Sequence, residues 1–215
     1  MKDFVRPKTQ EDLQEREAVG VIRASRFVRK LTRSRTAIDI SSIYAIHKEI
    51  FKDVRPDIAG ELRREDLSIA HSKHRPMHYS RVPAAMIEMN KEFKEILSEL
   101  KMIPKMVIRG NIKIKNKELK MIQKIVKAAA WIHHKITHIH PFAEGNGRTA
   151  RLMANLVLER YNLIGISVKM ERENKNRYLQ ALSQIDEVGD YKPLVSLIFE
   201  GMTDRYNGVE KFKTK

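Results

Sequence analysis

Apolar residues recur every three or four positions along most of this chain, the spacing that places them on one face of an α-helix. The longest such run begins at Leu119 and ends at His140, because the residue before a proline avoids the helical region. A run this long predicts a buried central helix. Further helices are predicted over residues 10–31, 43–51, 83–100, 152–161, 174–188 and 194–206. The pattern is therefore typical of a mainly α-helical fold.

One short segment departs from the helical period. Residues 67–71 alternate between apolar and polar, a polar cluster follows at 72–76, and the chain leaves this cluster through Met77 to Val82. Alternation that enters and leaves a turn predicts a short β-hairpin. An irregular loop is the alternative.

Composition narrows the class of protein. The chain has 215 residues, 42% hydrophobic and 32% charged, which is enough for one buried core in a single domain. It contains no cysteine, which excludes disulfides, thiolate metal sites and a cysteine nucleophile. No stretch approaches the apolar length of a membrane span, and Met1 to Arg16 lacks the apolar core of a signal peptide. We therefore expect a cytoplasmic protein without a membrane partner.

The charge is strongly positive. The formal net charge is +15, a balance that attracts nucleic acid, anionic membranes or an acidic protein. Residues 101–117 contribute six basic and no acidic side chains. Because no aromatic residue is interleaved there for base stacking, a solvated loop or docking surface is favoured over nucleic-acid recognition. A non-enzymatic, basic nucleic-acid-binding module remains an alternative.

The chemistry of the chain is concentrated in residues 138–152. Two glycines flank Asn146 and predict a tight turn between the long helix and the next one. His140 stands at the carboxyl end of the long helix, where an imidazole suits a general base near neutral pH. Phe142 is a large apolar residue in a loop that should be polar, and we expect it to anchor the loop in the core.

The same stretch predicts an anion site. The amides of Gly145–Gly147 can converge on an anion at the start of the following helix, where the helix dipole favours negative charge. Arg148 and Arg151 are three residues apart, so both can reach further phosphate oxygens from one helix face. Glu144 is a hard oxygen ligand suited to Mg²⁺. A polyphosphate with Mg²⁺ beside a base indicates phosphoryl or nucleotidyl transfer to a hydroxyl.

Zinc is an alternative that the sequence does not complete. His133, His134, His138 and His140 lie close together, and His134 and His138 are four residues apart on one helix. Neither a zincin pattern nor a third ligand accompanies them. His133 falls on the apolar face and is predicted to be a core histidine.

Residues 140–151, His-Pro-Phe-Ala-Glu-Gly-Asn-Gly-Arg-Thr-Ala-Arg, match at every defined position the signature of the Fic family, which this chain resembles. That signature is His-Pro-Phe-x-(Asp/Glu)-Gly-Asn-Gly-Arg-x-x-Arg. Blocks at 59–63, 129–133 and 189–194 are also similar to family landmarks. The resemblance covers about 37–205 and would leave 1–36 as an N-terminal helical extension and 206–215 as a tail.

The resemblance implies an α-helical fold of the Fic type with one β-hairpin, the flap, at about 71–82, which docks a target protein by strand addition. It implies transfer of AMP from ATP, with Mg²⁺, to a Ser, Thr or Tyr hydroxyl of that target. Transfer of another nucleotide or of a phosphate by the same fold is the alternative. By resemblance, the base is His140, the Mg²⁺ ligand Glu144, and the nucleotide contacts Gly145, Asn146, Gly147, Arg148, Arg151 and Tyr178.

The family also has an inhibitory motif, Ser/Thr-x-x-x-Glu-(Gly/Asn), whose glutamate pairs with the second arginine of the signature. Ser196 to Gly201 fits this motif, and Ser196 and Glu200 share one helical face. The segment comes earlier than such carboxy-terminal motifs usually do. Near the N-terminus, Glu17 and Gly20 have the wrong spacing. The alternatives are restraint by a separate antitoxin-like partner and the absence of restraint.

Overall fold

The computed structural model describes residues 6–34, 36–69, 74–106, 115–166 and 172–213, with the backbone alone for 172–174 and 207–213. This part of the chain is mainly helical, as predicted, and contains no β-strand. A 3₁₀ turn occupies Tyr79–Arg81. The α-helices are α1 (Gln10–Arg33), α2 (Ile40–Phe51), α3 (Val82–Leu100), α4 (Asn116–Ile139), α5 (Asn146–Arg160), α6 (Arg172–Val188) and α7 (Lys192–Lys213).

Local sequence signals explain where several helices begin. The Thr9 hydroxyl accepts a hydrogen bond from the amide of Asp12, and the Asp39 carboxylate accepts one from the amide of Ser41. These side chains satisfy amides that a helix start leaves without partners. Pro83 lies in the first turn of α3, where its missing amide costs no hydrogen bond. The predicted starts of α1 and α3 are thereby confirmed, and α2 begins three residues earlier than its apolar stripe.

α4 is the central helix and packs against α3, α5, α6 and α7. The predicted core positions Met86, Met89 and Phe93 on α3 are buried, and the Phe93 ring stacks on Trp131 of α4 with centroids 5.9 Å apart. Three consecutive alanines of α4, residues 128–130, are also buried. Small side chains let the neighbouring helices approach closely on several sides of α4.

α1 packs across α2 and α5. Gly20 makes this approach possible, since a Cβ at that position would lie 2.0 Å from the carbonyl oxygen of Ile50 on α2. Arg160 of α5 donates hydrogen bonds to the carbonyls of Leu31, Ser34 and Thr36 at the end of α1. The predicted N-terminal extension thus packs, through α1, against α2 and α5. α5 is the helix that follows the turn of the signature loop, residues 140–151.

The predicted hairpin is not seen in the described residues. Within the described part of 67–82, residues 67–69 and 74–78 adopt neither strand nor helix, the 3₁₀ turn occupies 79–81, and α3 begins at Val82. Residues 70–73, which include the start of the predicted flap, lie outside the described residues. The basic segment is likewise described only in part, because residues 107–114 are outside as well. None of the described helices is both long and apolar enough to cross a membrane.

Candidate active site

His140 follows the last residue of α4 and adopts left-handed backbone angles, φ 53° and ψ 59°. It leaves the helical region as predicted, but into the left-handed rather than the extended region. Its amide still donates to the Ile136 carbonyl at 3.0 Å, and its own carbonyl accepts a hydrogen bond from Arg63 at 2.8 Å. These two bonds fix a conformation that L-residues rarely adopt.

The tautomer of His140 follows from its neighbour. Nδ1 lies 3.2 Å from the carbonyl oxygen of Thr137, which can only accept, so Nδ1 carries the proton. Nε2 then presents a lone pair. Burial lowers the pKa of His140 from its usual value, and the nearby Arg63 and His74 lower it further. The imidazole is therefore neutral at neutral pH, the state that a general base requires.

Arg63 is a positioning residue that sequence reasoning missed. It is buried, and its guanidinium donates to the carbonyls of His140, Glu65 and Met77. Its backbone amide donates to the carbonyl of Pro141 at 2.9 Å. The one signal in the sequence was its place at the end of the block 59–63, since a lone arginine shows nothing about which carbonyls it will reach.

Phe142 anchors the loop, as predicted. Its ring is fully buried and stacks on the imidazole of His47, with centroids 3.8 Å apart. The His47 Nε2 donates to the carbonyl of Glu144 at 3.0 Å, and its Nδ1 accepts from the amide of Gly60 at 2.9 Å. Burial lowers the pKa of His47 to about 4. A neutral imidazole on α2 thus holds both the aromatic ring and the backbone of the loop.

The side chain of Asn146 closes the loop on itself. Its Oδ1 accepts from the amide of Phe142 at 2.9 Å, and its Nδ2 donates to the Phe142 carbonyl at 2.8 Å. With 2% of its surface exposed, this amide is committed to the loop. Only the backbone of Asn146 is left to meet an anion.

Gly145 and Gly147 differ in the space around the position that a Cβ atom would occupy. Gly145 has φ 74°, and a Cβ there would lie 2.3 Å from the Phe51 ring, so no larger residue fits the turn. Gly147 has no such neighbour; the one atom near its Cβ position is Nη1 of Arg151, at 3.4 Å. The start of α5 has no side-chain cap, which leaves its amides open to a ligand.

Glu144 and Arg148 form an ion pair at the edge of the loop. Arg148 donates to Glu144 at 2.9 Å and to Glu17 of α1 at 2.7 Å, while its guanidinium lies 4.9 Å from the centroid of the Phe51 ring. The Glu144 side chain is 45% exposed. Glu17 lies one turn before Gly20 on the buried face of α1, so a charge on that face was the signal that could have identified it.

Arg151 has a different environment from Arg148. It is partly buried, and burial together with the charge of Arg148 lowers its pKa from the usual value. Among the residues that the structure describes, no carboxylate pairs with it. Tyr178 of α6 lies near enough to influence this arginine electrostatically, and burial raises the pKa of the phenol to about 12. A desolvated guanidinium without a counter-ion favours an anionic ligand.

One cavity of about 530 Å³ joins several of the predicted residues. His140, Gly147 and Tyr178 all line it, and apolar side chains of α6 contribute part of its wall. The Tyr178 hydroxyl lies 3.4 Å from Nε2 of His133, which is buried as predicted. The His140 imidazole, the open start of α5 and an aromatic wall thus face one cavity.

The predicted inhibitory residues lie elsewhere. Ser196 is exposed on α7, and Glu200 pairs with Arg177 of α6 at 2.9 Å, each side chain about half exposed. Glu200 makes no contact with Arg151 in this structure. The contact that an inhibitory role for Ser196 and Glu200 requires is therefore not made here.

Comparison with known proteins points in one direction. A family model described as Fic/DOC matches residues 37–158. A protein adenylyltransferase Fic from Aedes aegypti is 26% identical over 183 residues, which are 85% of this chain and 31% of the relative. The chain thus spans about a third of the length of the curated relatives it matches.

Solved structures share the fold. Fic-1 from C. elegans superposes with a TM-score of 0.66 at 23% identity, over 96% of this chain and 54% of that one. The BepC protein of Bartonella tribocorum, solved with bound AMPPNP, gives 0.61 at 16% identity, over 90% and 88% of the two chains. Because the family model matches more than half of the residues, including the whole loop from His140 to Arg151, this chain belongs to the Fic/DOC family.

Proposed function

We propose that this chain is a protein adenylyltransferase, which transfers AMP from ATP to a hydroxyl side chain of a target protein. The observation that carries the proposal is the position of Gly147. It lines the cavity together with His140, and Nη1 of Arg151, which has no carboxylate partner in the described residues, lies 3.4 Å from the position that a Cβ of Gly147 would take. A base and an anion site therefore meet at one point. The adenylyltransferase name of the Aedes aegypti relative supports the same activity.

The chemistry assigns one task to each group. The target hydroxyl attacks the α-phosphorus of ATP while Nε2 of His140 accepts the hydroxyl proton. A new oxygen–phosphorus bond forms, the bond to the oxygen that bridges the α- and β-phosphates breaks, and pyrophosphate leaves. The amides at the start of α5 stabilise charge on the α-phosphate, and Arg148 and Arg151 bind the outer phosphates.

Mg²⁺ fits this site through Glu144. Its side chain is 45% exposed and only one of its carboxylate oxygens binds Arg148, which leaves the other accessible. A single carboxylate beside phosphate oxygens is a usual protein contribution to a Mg²⁺ site. The ion would neutralise charge on the phosphates.

The target is proposed to dock along residues 71–82. The guanidinium of Arg63 binds the carbonyls of both Met77 and His140, which supports a docking segment beside the base. Residues 74–78 form neither helix nor strand in the structure, so their backbone is not committed to a helix or a sheet ladder, which supports pairing with an added strand. Tyr178 is proposed to wall the nucleoside from the opposite element, α6.

Labelling of the chain and of a cell lysate with ATP and Mg²⁺ tests the activity. Label from the α-phosphate position of ATP should appear on protein, and His140→Ala should abolish it while leaving nucleotide binding in place. Glu95→Ala, at an exposed position of α3 outside both the cavity and the docking segment, is the control and should label like the wild type.

Two results would contradict the proposal. Equal labelling by His140→Ala would remove the proposed base. Label from the γ-phosphate position, with none from the α-position, would show phosphate transfer instead of AMP transfer. Intact mass of the labelled protein identifies which group has moved.

A further inference from the structure

Three imidazoles surround one carboxylate at the wall of the cavity. Asp186 of α6 lies 2.7 Å from Nδ1 of His138, 2.9 Å from Nε2 of His134 and 3.6 Å from Nδ1 of His74. His134 and His138 are one turn apart on α4, and His74 comes from the segment before the 3₁₀ turn. All four residues line the cavity that also contains His140.

The hydrogen bond between His74 and the His138 carbonyl determines the tautomer of His74, and hence the atom that it presents to Asp186. Nε2 lies 2.8 Å from the carbonyl oxygen of His138, which can only accept, so Nε2 carries a proton. In neutral His74 the lone pair is then on Nδ1, which faces Asp186. Either a proton on Nδ1 or a metal ion can bridge these two atoms.

This arrangement is the one that metal-binding histidines adopt in proteins. A ligating imidazole generally donates its second N–H to a backbone carbonyl or a carboxylate, which fixes its tautomer and its ring orientation. His74 has this bond before any metal is considered. His134 has a related place, since its Nε2 reaches Asp186 and its Nδ1 lies 3.3 Å from the Tyr191 hydroxyl. His134 therefore orients the Asp186 carboxylate through this hydrogen bond.

The distances suit a small transition-metal ion. One ligand atom from each of His74, His138 and Asp186 can be chosen so that all three lie within 4.8 Å of one another. A tetrahedral ion with bonds of about 2.0–2.1 Å needs ligand atoms roughly 3.3 Å apart. The His138 side chain is 40% exposed, so a small rotation about its side-chain bonds can close the difference.

We propose that His74, His138 and Asp186 form a zinc site, distinct from the Mg²⁺ position assigned to Glu144. Two imidazoles and one carboxylate favour Zn²⁺ over Mg²⁺, which prefers oxygen ligands only. Three protein ligands leave a fourth position open, and it faces the cavity. The ion would also tie residues 74–78 to α4 and α6, so its occupancy would fix the segment beside His140.

The sequence could not complete this site because the two ligands besides His138 come from distant parts of the chain. His138 is separated from His74 by 64 residues and from Asp186 by 48. The helical spacing of His134 and His138 was visible, but neither His74 nor Asp186 stands in a recognisable metal pattern.

Zinc titration of the tag-free chain tests the proposal without nucleotide or enzyme assay. The protein is stripped with chelator, and Zn²⁺ binding is measured by calorimetry at pH 7.5, with the melting temperature followed in parallel. We expect one equivalent per chain and a higher melting temperature with zinc. Removing a ligand in His138→Ala or Asp186→Asn should weaken binding by more than about tenfold. Co²⁺ should bind in the same place and give visible absorption.

His78→Ala is the matched control, because this histidine is exposed nearby and lies outside the three-ligand group. It should bind zinc like the wild type. Absence of zinc binding by the wild type, or equal affinity in His138→Ala, would overturn the proposal and leave a hydrogen-bonded imidazole–carboxylate cluster. Displacement of Zn²⁺ by equimolar Mg²⁺ would overturn it as well. Circular dichroism of His138→Ala confirms that a loss of binding is not a loss of fold.

Discussion

The Glu17 carboxylate of α1 lies 2.7 Å from the Arg148 guanidinium of α5, although 131 residues separate the two along the chain. Arg148 is also paired with Glu144 of the loop. A guanidinium held between two carboxylates has to release part of this pairing before it can bind a phosphate. If Arg148 binds the nucleotide as proposed, Glu17 competes with the nucleotide for this guanidinium.

Replacing Glu17 by glutamine should strengthen ATP binding. The ion pair is partly exposed, with 21% and 23% of the two side chains accessible. A pair of this kind contributes about 1 kcal/mol, so the dissociation constant should fall about fivefold. Calorimetric titration with ATP measures the change. Asp12→Asn, which removes the Arg16 partner on the same helix, should have no effect.

Glu200→Gly distinguishes competition by Glu17 from inhibition by the motif at Ser196 to Gly201. Because Glu200 pairs with Arg177 at the surface, its replacement should leave both ATP affinity and self-labelling unchanged. If labelling rises in Glu200→Gly and not in Glu17→Gln, the inhibitory role of Ser196 and Glu200 is right and competition by Glu17 is wrong.

Gly20→Ala should displace α1 from α2. The added methyl group would lie 2.0 Å from the Ile50 carbonyl oxygen, and backbone cannot yield as a flexible side chain can. Overpacking of this kind costs about 1–3 kcal/mol, which is a fall in melting temperature of about 2–12 °C for a chain of this size. Val19→Ala, at a position 53% exposed, is the control and should melt like the wild type.

Asn146→Ala should unfold the signature loop locally and abolish AMP transfer. It removes both hydrogen bonds to Phe142 and leaves buried backbone groups without partners, at a cost of about 3 kcal/mol. Asn155→Ala is a close match, because Asn155 makes the same two bonds to Ile166, at 2.7 and 3.0 Å. Both variants should lose similar stability in urea, and only Asn155→Ala should keep labelling activity below its melting temperature.

Arg151→Gln should discriminate between nucleotides. If Arg151 binds the outer phosphates, its loss removes charged hydrogen bonds of about 1.5–3 kcal/mol, which weakens ATP binding about tenfold to a hundredfold. AMP lacks these phosphates and should bind as before. The surface variant Arg177→Gln controls for the loss of one positive charge. Equal weakening for ATP and AMP would place Arg151 at the α-phosphate instead.

Because of His133, the free energy of unfolding should fall in acid. Burial lowers the pKa of His133 to about 3, against about 6.5 in an unfolded chain. The unfolded state therefore takes up a proton that the folded state does not, and the stability present above pH 6.5 is lost as the pH falls towards 3. Between pH 7 and 5 the loss amounts to about 2 kcal/mol.

Urea unfolding of the wild type and of His133→Gln at both pH values measures this contribution. The variant should lose about 2 kcal/mol less between pH 7 and 5. Between pH 7 and 8 the two proteins should change in parallel. An equal loss in acid would show that His133 does not carry the effect.

The helices and the signature loop could be predicted because both are local. Burial of a helix face requires an apolar stripe with a period near 3.6, and that period is visible without knowledge of the partner helix. The predicted loop chemistry lies within residues 140–151, and Phe142 and Gly145 serve there as their residue types indicate. The left-handed turn at His140 was missed, since it depends on the carbonyl bond to Arg63, 77 residues away.

By itself, the sequence determined the helical fold, the family and the residues of the signature loop. Only the tertiary structure decided the partners of those residues: Glu17 beside Arg148, Arg63 beneath His140, and His74 and Asp186 around His138. The physical reason is that an apolar stripe specifies which side of a helix is buried, whereas the shapes of all the packed side chains together select the neighbour. Polar residues at the edges of the stripes meet as a consequence of that packing.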